Sequence, residues 1–299
     1  MREKVVRAPM NASAPIASEV ALSEGQRAAL ISLLSDEDPF VHQAVREKLL
    51  SCGQAASEWL RPHTRSRDPL LRRRALEIVH HLAREAADGR FAQFCRQAAE
   101  NVDLEQGAWL LAQTQYPDTN LEAYTALIDS YAAELRDHTH PASHPEANLL
   151  AINQYLFQRL GFQGNEREYY DPDNSYLNRV VDQRLGNPIS LCAIYMMVTR
   201  RLGLPVVGIG MPGHFLCRLQ TPTCEIYVDC FHRGRFLTKA DCMRFLVQNH
   251  CGLDAGHLIP VTPRRMLLRM CANLHQSYRH HEWLDDAARF QHYINLLSK

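Results

Sequence analysis

The residues with the clearest potential for chemistry are Cys192, His214 and Asp229. They follow the order of a thiol-nucleophile site, with a cysteine near a helix start and then a histidine and an acid on successive predicted strands. In such a site the imidazole takes the thiol proton and the carboxylate orients the imidazole. These three residues are therefore the candidate catalytic group. The alternative for Cys192 is a core thiol within an apolar helix.

The elements that must position these residues are a helix and an antiparallel sheet. Asn187 and Pro188 form a helix start, a cap followed by a first-turn proline. The helix predicted over 188–202 is nearly all apolar, so we expect it at the centre of its domain. Strands with the short turns of a meander are predicted over 206–211, 214–219, 225–229 and 234–237. A central helix packed on an antiparallel sheet is α+β architecture.

Five further residues near the helix start are expected to line the same cleft as His214. They are Asn174, Arg184, Asn187, Pro188 and Ser190. For Asn174 and Arg184 the alternative is a local structural role, in which the side chain caps a helix or pairs with a neighbour.

Neither a metal nor a cofactor is expected. Two groups contain ligand-type residues, namely His138, His140 and His144 in one loop, and Cys224, Cys230 and His232. The histidine loop has no second set of ligands, and Cys224, Cys230 and His232 lack the regular ligand spacing of a zinc site. The nine cysteines include no Cys-x-x-Cys pair, so we expect small buried thiols rather than a disulfide framework.

The first third of the chain contains a repeated helix start. Asp38-Pro39-Phe40 is echoed thirty residues later by Asp68-Pro69-Leu70, and branched residues follow each copy at helical spacing. In each copy the aspartate caps a helix whose first turn contains the proline. This pattern is typical of HEAT-like repeats, in which stacked helix pairs bury a shared face. A generic bundle of α-hairpins is the alternative.

Composition and charge limit the partners and the location. Lys plus Arg equals Asp plus Glu at 33 each, so no global field favours nucleic acid or an anionic membrane. The sequence has no signal-peptide core and no apolar span of about 20 residues. We therefore expect a cytoplasmic protein with a protein or peptide partner, and no nucleic-acid or membrane partner.

Several ordered motifs resemble a known family. They are Asn174-Ser-x-Leu, Arg184-x-Gly-x-Pro188-Ile-Ser-Leu, Arg201-Leu-Gly-Leu-Pro, Pro212-Gly-His214-Phe-Leu and Val228-Asp229-x-Phe. Together they resemble the divergent transglutaminase-like core of bacterial SirB-type proteins over about residues 120–299. The closing helices resemble the start of that family's tetratricopeptide-like tail. The helical repeats before residue 115 lie outside the resemblance.

The resemblance implies a papain-like site, with a cysteine at a helix N-terminus, a histidine on one strand and an aspartate on the next. It puts His214 and Asp229 at the positions of base and orienting acid. The nucleophile position falls on Pro188, which has no nucleophilic atom. Cys192, one helical turn further along, is the alternative nucleophile.

The predicted organisation is a flexible leader (1–22), HEAT-like helical repeats (23–115), a papain- or transglutaminase-like α+β domain (116–258) and a C-terminal helical hairpin (259–299). The favoured function is a non-catalytic or divergent binding and regulatory module with a cleft around His214 and Asp229. One alternative is a thiol-dependent acyl-transfer or peptide-hydrolysing enzyme that uses Cys192, His214 and Asp229. A purely structural helical scaffold is the second alternative.

Overall fold

The structure, a computed structural model, describes residues 22–140, 144–222, 224–250 and 255–299. The chain divides into two compact units, one ending at Leu82 and one running from Ala83 to Lys299. The leader predicted over residues 1–22 lies outside the described residues, apart from its last residue. Each unit has an apolar core of its own.

The first unit is helical. Its helices are α1 (Glu24–Leu33), α2 (Pro39–Ser51), α3 (Gly53–Leu60) and the first half of α4 (Pro69–Gln97). Both repeated Asp-Pro motifs begin a helix, because the Asp38 carboxylate accepts a hydrogen bond from the Phe40 amide at 2.8 Å and the Asp68 carboxylate accepts one from the Leu70 amide at 2.9 Å. The capping interaction therefore recurs in both copies of the repeat.

The second unit is a mixed helical and sheet domain. Its further helices are α5 (Leu104–Gln113), α6 (Leu121–Leu135), α7 (Pro145–Asn153), α8 (Leu177–Gln183), α9 (Pro188–Arg201), α10 (Lys239–Gln248), α11 (Pro263–His280) and α12 (Leu284–Leu297). Phe91 of α4 and Trp109 of α5 belong to the same core as α9. This compact unit therefore includes the second half of α4 and α5.

Four strands form an antiparallel meander in the order of the sequence. They are β3 (Val206–Met211), β4 (His214–Gln220), β5 (Glu225–Asp229) and β6 (Arg235–Leu237). Two residues of β1 (Gln163–Gly164) pair in parallel with two of β2 (Leu185–Gly186), just before α9.

Helices cover both faces of the meander. Phe215 and Cys217 of β4 belong to the large core that contains α9. Leu216, from the opposite face of the same strand, packs in a smaller core with Cys242 and Leu246 of α10. The sheet is thus a layer between α9 and α10, and α9 is buried along most of its length.

The last two helices pack against each other. Tyr278 of α11 stacks on Phe290 of α12 with ring centroids 5.4 Å apart. Arg264 of α11 donates a hydrogen bond to the carbonyl oxygen of Leu297 at 2.9 Å. Within the part of the chain described, none of the helices combines the length and apolar character that a membrane span requires.

Candidate functional site

His214 and Asp229 meet at one end of the meander. His214 is the first residue of β4 and Asp229 is the last residue of β5. The pairing of Cys217 with Val228 puts the His214 and Asp229 side chains on the same face of the sheet. His214 Nε2 lies 2.9 Å from Asp229 Oδ2, and both residues are buried. The structure therefore brings together the two residues expected to act as base and orienting acid.

The backbone around His214 is fixed from two sides. Gly213 precedes it with φ +71°, a left-handed conformation that glycine adopts without strain. Arg269 of α11 donates a hydrogen bond from Nη2 to the His214 carbonyl oxygen at 2.8 Å. The imidazole also contacts the rings of Phe231 and Phe245, at centroid distances of 6.2 and 5.6 Å. The orientation of His214 thus depends on the turn, on α11 and on α10.

A second histidine shares the same carboxylate. His232 Nδ1 lies 2.8 Å from Asp229 Oδ2, and the His232 backbone amide donates to Asp229 Oδ1 at 3.2 Å. About half of the His232 side chain is exposed, so it forms the solvent side of the group. From the sequence, His232 is a candidate only for a zinc group with Cys224 and Cys230. Its i+3 spacing from Asp229, in the turn after a strand, is the signal that could have indicated this contact.

The two histidines keep Asp229 ionised. Burial alone opposes ionisation and raises the pKa of a carboxyl group. At Asp229 the hydrogen bonds and charges of His214 and His232 outweigh burial, so the pKa of Asp229 lies below its ordinary value. A carboxylate only accepts hydrogen bonds, so His214 Nε2 and His232 Nδ1 act as donors.

The three residues face a cavity of about 480 Å³. Its apolar wall consists of Tyr169, Pro188, Met211, Phe231, Leu237 and Phe245. Arg235, Asp241 and Arg244 add charged groups, and Gln248 is at the end of α10. Pro188, the first residue of α9, therefore lies in the wall of the cavity that holds His214 and Asp229.

Cys192 lies elsewhere. Its sulfur is fully buried and contacts the carbonyl oxygen of Phe215 at 3.6 Å. The Sγ atoms of Cys192, Cys217 and Cys230 all lie within 4.8 Å of one another, in the core between α9 and the sheet. Cys192 does not line the His214 cavity. Burial raises the pKa of the Cys192 thiol well above its ordinary value, which opposes formation of a thiolate.

Three of the expected cleft residues form a buried hydrogen-bond network at the start of α9. The Asn187 side chain caps the helix by accepting from the Ser190 amide at 3.0 Å, and it donates to Ser175 Oγ at 2.8 Å. Ser190 Oγ donates to the Asn174 carbonyl oxygen at 2.7 Å. Asn174 Oδ1 accepts from the Asn165 side chain at 3.0 Å. These contacts hold the N-terminus of α9 in place.

Arg184, another expected cleft residue, ends α8 in a left-handed conformation with φ +60°. Its guanidinium donates to the Tyr131 hydroxyl at 2.7 Å and lies 4.6 Å from the centroid of the Phe162 ring. These contacts are with α6 and with the segment before β1. Among the five expected cleft residues, Pro188 is the one that lines the His214 cavity.

Among the described residues, two groups bring metal-ligating atoms together. One is the buried thiol group of Cys192, Cys217 and Cys230, and the other consists of His214, Asp229 and His232. In each group the ligand atoms all lie within 4.8 Å of one another. The thiols are enclosed by apolar core, whereas the histidine group opens onto the cavity.

A comparison with known families covers the part of the chain that holds the site. The sequence model of the transglutaminase-like superfamily matches residues 122–272, which include α9, the meander and most of α11. The chain therefore belongs to the transglutaminase-like superfamily.

Its relatives include bacterial and vertebrate proteins. The UPF0162 protein of Xylella fastidiosa is 42% identical over 197 residues, which cover 64% of this chain and 70% of that protein. The human F-box only protein 21 is 34% identical over 230 residues, 67% of this chain but 36% of that protein. The UPF0162 protein of Vibrio cholerae is 27% identical over 154 residues, 51% of this chain and 57% of that protein. The comparison with solved structures gave no match.

Proposed function

We propose that this chain is a binding module of the transglutaminase-like superfamily, and that its cavity at His214 and Asp229 holds a short segment of a protein partner. The observation that carries this proposal is the presence of Pro188 in the cavity wall with the histidine and the aspartate. Proline supplies no nucleophile to a site whose base and orienting acid are in contact. The arrangement supports recognition rather than covalent acyl transfer.

The position of Cys192 supports the same conclusion. A catalytic thiol needs an electropositive, partly exposed environment and a base within hydrogen-bond reach. The Cys192 sulfur instead contacts a backbone carbonyl and two other buried thiols. None of these contacts therefore supplies a base that would take the Cys192 proton or a positive charge that would stabilise its thiolate.

The cavity has the size and composition of a ligand site. Its volume of about 480 Å³ falls within the range usual for ligand sites, and it combines an apolar wall with a few charged groups. Arg244 and Gln248 of α10 are exposed at its edge, so a chain segment can reach it from solvent. An apolar side chain would contact Phe231 and Phe245, while polar groups would meet His214 and Arg235.

The relatives support a modular role. The match to human F-box only protein 21 covers 36% of that protein, so the shared region is one part of a longer chain there. A region shared in this way is typical of a domain that works together with other domains of the same chain. For this chain, the chemistry of the cavity supports a peptide segment with an apolar anchor as the partner.

The test is selection of peptides from a random display library on the purified full chain, followed by affinity measurement with fluorescent synthetic peptides. Gln248→Trp would place an indole at the cavity edge, and we expect it to weaken binding by about tenfold or more. Gln291→Trp, on the exposed face of α12, is the matched control and should leave the affinity unchanged.

Two results would contradict the proposal. One is equal affinity of the wild type and Gln248→Trp for every selected peptide. The other is incorporation of a fluorescent amine into a glutamine-containing peptide by the wild type that disappears in Cys192→Ala. The second result would establish the thiol enzyme instead.

A further inference from the structure

We infer that His214, Asp229 and His232 bind one divalent transition-metal ion of the zinc class. This inference goes beyond peptide recognition, since it concerns an inorganic ligand and stands on a different set of contacts. Three side chains converge here from β4, β5 and the turn that follows β5.

The spacing of the donor atoms suits a metal ion. Asp229 Oδ2 lies 2.9 Å from His214 Nε2 and 2.8 Å from His232 Nδ1. Zinc lies about 2.0–2.2 Å from nitrogen and oxygen ligands, so two ligands of one ion are about 2.8–3.5 Å apart at tetrahedral to right angles. An ion can therefore take the place of the two shared protons with small side-chain movements.

The donor set also suits this class of ion. Two imidazoles and one carboxylate bind zinc and non-haem iron in proteins, whereas calcium and magnesium prefer sites built from oxygen atoms. A neutral imidazole binds a metal through its unprotonated nitrogen. Binding therefore requires His214 Nε2 and His232 Nδ1 to release the hydrogens that they now donate to Asp229, either to solvent or to the other ring nitrogen.

Two of the three residues are buried and held in place, and the third is open to solvent, as a metal-binding site requires. His214 and Asp229 are more than nine-tenths buried, and α10, α11 and the sheet fix their positions. His232 is about half exposed, so an ion can enter from solvent. Three protein ligands leave at least one coordination position open toward the cavity of about 480 Å³, as in catalytic rather than structural zinc sites. A backbone carbonyl of a bound peptide would fit that position.

The rival within the described residues is the thiol group of Cys192, Cys217 and Cys230. Its sulfur atoms are spaced closely enough for a soft metal ion, but all three residues are fully buried in the apolar core. A metal there would require the loss of three thiol protons without a solvent route. The histidine group has both a carboxylate and an exposed member, so we assign the site to it.

The test is titration of the reduced, metal-free full chain with Zn²⁺ by calorimetry and with Co²⁺ by absorption spectroscopy. The variant is His232→Asn, whose amide can still donate a hydrogen bond to Asp229 but is a poor metal ligand. His292→Asn, at an exposed position on α12, is the matched control. We expect one site in the wild type and in the control, weakened about 100-fold or more in His232→Asn.

Either of two outcomes would overturn the inference. The first is metal binding with the same affinity and stoichiometry in the wild type and in His232→Asn. The second is a strong thiolate-to-cobalt charge-transfer band that disappears in Cys217→Ser, which would assign the ion to the thiol group. Because no peptide is present in these titrations, their failure leaves peptide recognition by the cavity to be decided by its own experiment.

Discussion

Replacing Pro188 with cysteine should create a reactive thiol at the wall of the His214 cavity. Pro188 is the first residue of α9, and the Asn187 side chain caps the helix directly before it. A cysteine in this position would face His214 and Asp229 from a helix N-terminus. Both the positive end of the helix dipole and a nearby imidazolium stabilise a thiolate and lower the pKa of the thiol.

The magnitude follows from the fraction of thiolate. A free cysteine has a pKa of about 8.5, so about 3% of it is thiolate at pH 7. A fall of the pKa by about two units, within the range seen for cysteines at helix N-termini beside histidine, raises that fraction to about 75%. A thiolate of lower pKa is also a weaker nucleophile, by about eightfold for a fall of two units. We therefore expect alkylation of Pro188→Cys at pH 7 to be about threefold faster than that of an equally exposed cysteine with an ordinary pKa.

The assay is the pH dependence of alkylation by iodoacetamide, resolved by cysteine with mass spectrometry. Pro263→Cys is the matched control, because Pro263 also occupies the first turn of a helix after a side-chain cap, from Thr262. It shares the helix dipole but does not line the His214 cavity. The double variant Pro188→Cys with His214→Ala removes the imidazole.

The apparent pKa of the thiol decides the question independently of access. We expect the lowest value in Pro188→Cys and a return toward the Pro263→Cys value in the double variant. Equal pH profiles in all three proteins would refute the argument that position 188 faces His214. They would also refute the proposal that proline occupies the position from which a thiol would react.

Two further predictions concern stability. The folded-state pKa of Asp229 is lowered, so its carboxylate contributes stability that is present above the ordinary carboxyl pKa and is lost as the pH falls through the folded-state value. Asp229→Asn should therefore reduce the loss of unfolding free energy at acid pH, measured by urea denaturation over a pH series. An unchanged acid dependence would contradict this prediction. Gly164→Ala would put a methyl group 2.5 Å from the Phe231 ring and should lower the free energy of unfolding by about 1–3 kcal/mol, whereas Gly25→Ala, with nothing within 4 Å, should not.

Local signals explain why the start of α9 could be predicted from sequence. Asn187 and Pro188 are a cap and a first-turn proline, and the apolar run after them indicates burial. The contact of His214 with Asp229 could also be anticipated, because short turns between successive strands allow few ways of pairing those strands. These features depend on neighbours in sequence, and the structure has them where the sequence places them.

Other features depend on tertiary packing that the sequence does not express. Cys192 follows Pro188 by one helical turn, but α9 passes beneath the sheet, so the sulfur meets Phe215 and Cys217 in the core. His232 joins Asp229 because of the conformation of the turn after β5. Neither the depth of a residue beneath a sheet nor the course of a turn can be obtained from spacing alone.

Pro188 has a second consequence, which concerns the stabilisation of negative charge. Proline has no backbone N–H, so the first position of α9 offers no donor to an oxyanion in the cavity. The amides two and three residues further along are already occupied, because Ser190 and Leu191 donate to the side chain and the carbonyl oxygen of Asn187. At the position where the resemblance implies the nucleophile, proline therefore also lacks a donor for a tetrahedral intermediate. On the proposed function, a ligand of this cavity would meet the histidines, the aspartate and the arginines that line it. An anionic acyl intermediate would find little support from the first residue of the helix.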